Sequence, residues 1–151
     1  MLRTENASKI LLLMLVFAFV FAPRLFAGPD FKTIDTTRLH SMVVDNAYEL
    51  EGGRNRPFMI IDTRPKEEYE DGHIFSAINI PEKDFEKSMD LLPKNRGLLL
   101  VVYCNGMRSG ASRKWASKAA SAGYTNLSIY SEGFSVWKEK QMPVAPLRNS
   151  F

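Results

Sequence analysis

The chain has 151 residues, 45% apolar, 25% charged and 11% aromatic, with one cysteine, two histidines and a formal net charge of +3. That composition provides one globular domain with a real core, and a lone cysteine excludes an internal disulfide scaffold and a Cys/His zinc module. The pI near 9.0 belongs mostly to the first 27 residues, because beyond Ala27 there are 17 basic and 16 acidic residues, a balance that gives a nucleic-acid backbone little to hold.

Arg3 and Lys9 precede an uninterrupted apolar run from Ile10 to Ala22, and Pro23 and Arg24 follow it. Thirteen residues suit a secretory h-region, whereas a spanning helix needs roughly 20. A cut fits after Ala27, and the rival reading is an uncleaved anchor that tethers the domain to a membrane. Either way the domain is expected to be exported, most simply to a periplasm. An exported lone thiol is either buried and inert or kept for its chemistry.

From Gly28 the pattern predicts one domain. Phe31–Ile34 is a strand candidate, and Asp35 or Thr36 can cap a helix carrying Leu39, Met42 and Val43 on one face. Residues 51–57 form a polar, glycine-rich loop before a strand over Phe58–Ile61 that ends at Asp62. Pro65 opens a short acidic helix that stops at Gly72. Ala77–Ile80 is a further strand, with a helix expected over Glu82–Leu92 before Pro93. Leu98–Tyr103 is the most apolar run of this domain and reads as a strand buried on both faces. Ser112–Ala122 then makes a helix with Trp115, Ala116, Ala119 and Ala120 in one stripe, ended by Gly123. Leu127–Tyr130 and Gly133–Lys140 complete the series as strand and helix. This alternation predicts an α/β fold whose mostly parallel central sheet is covered by helices on both faces. Ligands in such sheets bind beyond the carboxyl ends of the strands, where Cys104 falls.

The segment Cys104-Asn105-Gly106-Met107-Arg108-Ser109-Gly110 joins the buried strand to the next helix. Two glycines would let backbone amides converge as an anion nest backed by a helix dipole, an arrangement that favours a thiolate. Arg108 would add a fixed positive charge for an oxyanion. The competing view is a buried strand-end cysteine followed by a glycine-rich turn.

These residues resemble the rhodanese family of sulfur-transfer domains. The run from Asp62 through Arg64, Glu68, Tyr69, Gly72, His73 and Ile74 to Ala77, Asn79 and Pro81 is similar to the family pattern D-x-R-x(3)-E-[YF]-x-x-G-H-I-x(2)-A-x-N-x-P. Tyr103-Cys104 occupies the family's active-site position, and Tyr130, Gly133 and Trp137 resemble its closing Y-x-x-G-x-x-x-W. The loop departs from the commonest pattern, C-x-x-G-x-R-S. The family's capping serine stands eleven residues before the closing glycine, and Gly123 then selects Ser112. That makes the loop a longer C-N-G-x(5)-S variant with a wider cradle.

The resemblance implies a nucleophilic Cys104 that carries sulfur as a persulfide. It implies a substrate cradle from Asn105 to Gly110, with Arg108 binding donor oxygens. Asp62 and Arg64 would brace the active-site loop, and Ser112 would cap the helix after it. His73 would fix a turn, His40 would lie half-buried on the first helix, and Phe134 and Trp137 would be core. No cofactor or metal is expected. The partners are a small sulfur-containing anion as donor and a thiol, cyanide or protein as acceptor, without nucleic acid, and with a membrane only if the leader is retained. Two other classes stand beside this sulfurtransferase. One is a non-enzymatic exported sulfur carrier or binding module. The other is a cysteine phosphatase or arsenate reductase of related fold, against which Tyr103 and the early Arg108 both count.

Overall fold

The computed structural model describes residues 30–50 and 57–146. The apolar leader with its expected cut, residues 51–56 of the glycine-rich loop and the tail from Leu147 lie outside the described residues. In chain order the elements are β1 (Lys32–Ile34), α1 (Thr36–Leu50), β2 (Phe58–Asp62), α2 (Lys66–Asp71), β3 (His73–Ile74) and β4 (Ile78–Asn79). They continue with β5 (Leu99–Tyr103), α3 (Ala111–Ser121), β6 (Leu127–Tyr130), α4 (Gly133–Glu139) and β7 (Val144–Ala145).

Five strands pair in the order β1-β6-β5-β2-β4, all parallel, as the alternation of strands and helices predicts. β3 and β7 form a separate antiparallel pair. The β5 sequence LLVVY explains its central place: a strand flanked by neighbours and covered on both faces must be apolar throughout. Side chains alternate across it. Leu100 and Val102 join Ile61, Ile129, Phe85, Trp115, Ala116 and Ala119 on one face. Val101 and Tyr103 join Ile60, Leu39, Val43, Tyr130, Phe134 and Trp137 on the other. The sheet thus separates two cores, one beneath α3 and one beneath α1 and α4.

The register puts the strand ends in line. Ile34 lies opposite Tyr130, Tyr130 opposite Tyr103, Tyr103 opposite Asp62, and Asp62 opposite Asn79. Each is the last residue of its strand, so the loops that follow β1, β6, β5 and β2 leave from one row at the carboxyl edge of the sheet.

The local signals act as expected at several ends. Asp35 caps α1, its carboxylate accepting from the Arg38 amide at 2.8 Å. α3 closes on Gly123, whose φ of +93° lets the Gly123 and Tyr124 amides reach the Ala120 and Ala119 carbonyls. Two expectations are corrected. The helix expected over Glu82–Leu92 is a pair of 3₁₀ turns, Glu82–Asp84 and Glu86–Leu91. The Glu82 carbonyl accepts from Lys118 Nζ at 3.1 Å, and Phe85, Met89 and Leu92 are drawn onto the α3 core, which favours short turns over an α-helix. Nor is Ser112 the cap of α3. The helix begins at Ala111, and Gly110 holds the capping position with φ +65°, a left-handed conformation that suits glycine. Ser112 falls in the first turn and points inward, 5% exposed.

Candidate active site

Cys104 follows Tyr103 off the central strand and is 2% exposed. Its neighbours hold its backbone from two directions. The Thr63 amide and hydroxyl, at the end of β2, both donate to the Tyr103 carbonyl, at 3.0 and 2.9 Å. The Phe134 amide donates to the Cys104 carbonyl at 2.9 Å and the Ser135 amide to that of Asn105 at 3.2 Å, both from the start of α4. Gly133 makes that approach sterically feasible. Its φ is +74°, and a Cβ there would lie 2.5 Å from the Asn105 carbonyl carbon and the Gly106 nitrogen. Asn105 is tied further by its side-chain amide, which donates to Glu68 of α2 at 2.5 Å.

The sulfur has two polar partners. Ser112 Oγ lies 3.4 Å from Sγ, and the Gly106 carbonyl oxygen accepts from the thiol at 3.2 Å. The glycine-bearing loop is expected to turn backbone amides inward as an anion nest, but at Gly106 it is the carbonyl that faces the sulfur. A turn accounts for this: the Ser109 amide donates to the same oxygen at 3.1 Å, which holds that carbonyl inside the loop.

Outside the loop lies a cleft of about 540 Å³ lined by Asn105, Gly106, Met107, Arg108, Ser109, Glu132 and Ser135. Five of the six residues expected to form the cradle therefore share one wall. Gly110 instead opens α3. Met107 is 82% exposed at the cleft's lip, and Arg108 is also exposed, so the loop presents a cation to the cleft and screens the thiol behind it.

Asp62 and Arg64 are buried together, their closest contact 2.6 Å. Arg64 also donates to the Gly72 carbonyl at 2.7 Å, and its guanidinium lies 3.9 Å from the centre of the Phe134 ring. The Tyr103 hydroxyl donates to Asp62 at 2.6 Å and accepts from the Ile74 amide at 3.1 Å. The expected brace on the loop thus acts through Tyr103, the residue before the cysteine. Burial, and then the adjacent Asp62 charge, push the Tyr103 phenol well above its ordinary pKa, so it stays a donor. Burial works against the Arg64 charge, yet the hydrogen bond and charge of Asp62 leave its pKa raised.

His73 stacks on Tyr69 with ring centres 3.7 Å apart, and its Nδ1 lies 2.9 Å from the Tyr69 carbonyl. It fixes the entry into β3. His40 faces Trp137 at 6.2 Å, and Phe134 and Trp137 are buried core.

Glu132 and Ser135 are residues that sequence reading did not single out, and Thr36 was read only as a candidate helix cap. The Thr36 amide and hydroxyl both donate to the Glu132 carboxylate, at 2.7 and 2.6 Å, and Lys140 donates at 3.0 Å. The Thr36 hydroxyl bond, followed by that of Lys140, holds the Glu132 carboxyl below its ordinary pKa. The motif that contains Glu132, Tyr130-Ser-Glu-Gly133, was legible. The partner of Glu132 lies 96 positions away and had no local signature.

A family model described as the rhodanese-like domain matches residues 43–140. A thiosulfate:glutathione sulfurtransferase of Saccharomyces cerevisiae is 25% identical over 122 residues, 73% of this chain and 86% of the yeast protein. The thiosulfate sulfurtransferase PspE of Escherichia coli is 34% identical over 68 residues, 44% of this chain and 62% of that protein. Among solved structures, a rhodanese-like domain of an Anabaena protein superposes with a TM-score of 0.56 at 26% identity, covering 80% of this chain and 83% of that one.

Proposed function

Because the chain belongs to the rhodanese-like domain family, we propose that it is a sulfurtransferase whose nucleophile is Cys104. The observation that carries this reading is the placement of the cysteine. It directly follows the central parallel strand, beside the Ser112 hydroxyl and beneath a loop whose outer wall offers Arg108. In the first half-reaction the Cys104 thiolate attacks the outer, sulfane sulfur of a thiosulfate-like anion. A bond forms between Sγ and that sulfur, and the donor's S–S bond breaks with its electron pair leaving on sulfite. In the second, an acceptor thiolate or cyanide attacks the outer sulfur of the persulfide, and Cys104 departs as thiolate. Arg108 holds donor oxygens, and the loop from Asn105 to Gly110 supplies polar backbone. Asp62, Arg64 and Ser112 keep the cysteine in place.

The names of the yeast and bacterial relatives support thiosulfate as donor, and the yeast name supports a glutathione-like thiol as acceptor. A buried thiol requires the loop to swing aside for each donor. The apolar run from Ile10 to Ala22 supports export of the domain to a periplasm-like compartment, either free or anchored through that run.

The test is thiosulfate-to-cyanide transfer by the chain beside its Cys104→Ser variant. Turnover lost only in the variant is the expected result, and turnover retained by the variant refutes the mechanism. The burial of Cys104 favours one second reading, a carrier opened by a partner. Such a carrier would gain one sulfur by intact mass yet turn over poorly with small acceptors.

A further inference from the structure

We infer that Glu132 is a positioning residue for Cys104, acting through the backbone of residues 133–135. This inference rests on the sulfurtransferase reading for its kinetic consequences, although the geometry stands without it.

Glu132 touches three things that matter. Its carboxylate is held by the amide and hydroxyl of Thr36, where β1 gives way to α1, and by Lys140 just beyond α4. Thr36 has a single hydroxyl proton. Donated to Glu132, it leaves the Tyr130 phenol to donate to Thr36 at 2.7 Å, so a chain of donors runs from the end of β6 to Glu132. The backbone carbonyl of Glu132 faces Gly106, with 3.4 Å of room for a Cβ there. The next three residues are the ones that seat the cysteine. Gly133 packs against the Asn105–Gly106 peptide, and the Phe134 and Ser135 amides hold the Cys104 and Asn105 carbonyls.

The side chain is therefore fixed to the start of α1 and to Lys140, while its own backbone and its successors are fixed to the cysteine loop. Freed from Thr36 and Lys140, residues 132–135 could shift while the sheet stays intact, and the loop would follow them. A small displacement of a nucleophile costs rate more than it costs stability.

The experiment compares the full chain with its Glu132→Ala, Glu132→Gln and Thr36→Val variants. It measures kcat and KM for thiosulfate-to-cyanide transfer and the rate at which neutral iodoacetamide alkylates Cys104. Glutamine keeps an oxygen for both Thr36 donors and loses the charge and the acceptor for Lys140, which still reaches Thr36 Oγ1 at 3.2 Å. Expected in Glu132→Ala is a fall in kcat of roughly tenfold or more with KM changed by less than about threefold. Alkylation should be faster in the same variant, because the thiol is less tightly covered. Glu132→Gln should lie near wild type on both measures. Thr36→Val should move in the direction of the alanine variant by a smaller step, and it carries the comparison if Glu132→Ala does not fold.

An unchanged kcat in Glu132→Ala overturns the inference. So does a change confined to KM and shared by Glu132→Gln, which would mean that the charge meets the ligand directly. A wild-type chain without transfer activity refutes the sulfurtransferase reading, and alkylation alone then decides. Faster alkylation in Glu132→Ala upholds the positioning role, and an equal rate ends it.

Discussion

Tyr103 shows how one hydroxyl can serve two buried partners. It donates to Asp62 and accepts from the Ile74 amide, so Tyr103→Phe leaves a carboxylate oxygen with one donor fewer and a buried amide without its acceptor. The expected loss is about 1–3 kcal/mol, read from the denaturant midpoint at constant slope. Asp62→Ala is harsher, because Arg64 is 4% exposed and would keep its charge without its carboxylate. Breaking a buried pair in this way costs about 3–5 kcal/mol. Glu132 carries a pH signature. Its carboxyl is held below the ordinary range by Thr36 and then Lys140, so its contribution is complete above the unfolded-state pKa of about 4.3. It is lost as pH falls through the lower, folded-state value. From neutral pH into that acidic range, wild type should lose more stability than Glu132→Gln, measured by thermal midpoints across pH. Equal losses in the two would rule out this contribution.

At the scale of elements, the closest packing is between the start of α4 and the cysteine loop. Gly133→Ala adds a Cβ where backbone atoms stand 2.5 Å away, at a φ of +74°, so either the loop or α4 must move. Sulfur transfer should fall by roughly tenfold or more, a larger loss than any drop in melting temperature would explain. Gly106→Ala, with 3.4 Å of clearance, should be much milder, and equal effects from the two would refute this steric account. Elements with a strong local period were legible in the sequence. β5 showed its unbroken apolar run, α1 its Asp35 cap, and α3 its Trp115/Ala116/Ala119 stripe. Where tertiary contacts compete with local pattern, the sequence was a poorer guide. The Glu82–Leu92 segment has helical spacing of its apolar residues, but Lys118 takes a carbonyl that an α-helix would use. The cysteine, its loop and the Asp62/Arg64 pair stood out because their motif is contiguous. Thr36 and Glu132 did not, because only the pairing of β1 with β6 brings them together.

Across the domain, the sheet divides two cores that share β2, β5 and β6. Trp115 lies in one and Trp137 in the other, both fully buried. Since β5 gives Leu100 and Val102 to the first core and Val101 and Tyr103 to the second, neither can dissolve while the other keeps its strand. Trp115→Phe and Trp137→Phe each leave one indole as a local probe. Within each variant, fluorescence and far-ultraviolet dichroism should give coincident unfolding transitions. Separated transitions in either would show that the faces melt independently. The pairing order also has a consequence in time. β1 is translated first but borders β6, and Cys104 is translated before the Phe134 and Ser135 amides that seat it. A chain that has not yet docked α4 thus carries its thiol without the amides that seat the loop. In that state oxidants have their freest access to the sulfur, when the chain has no means of using it.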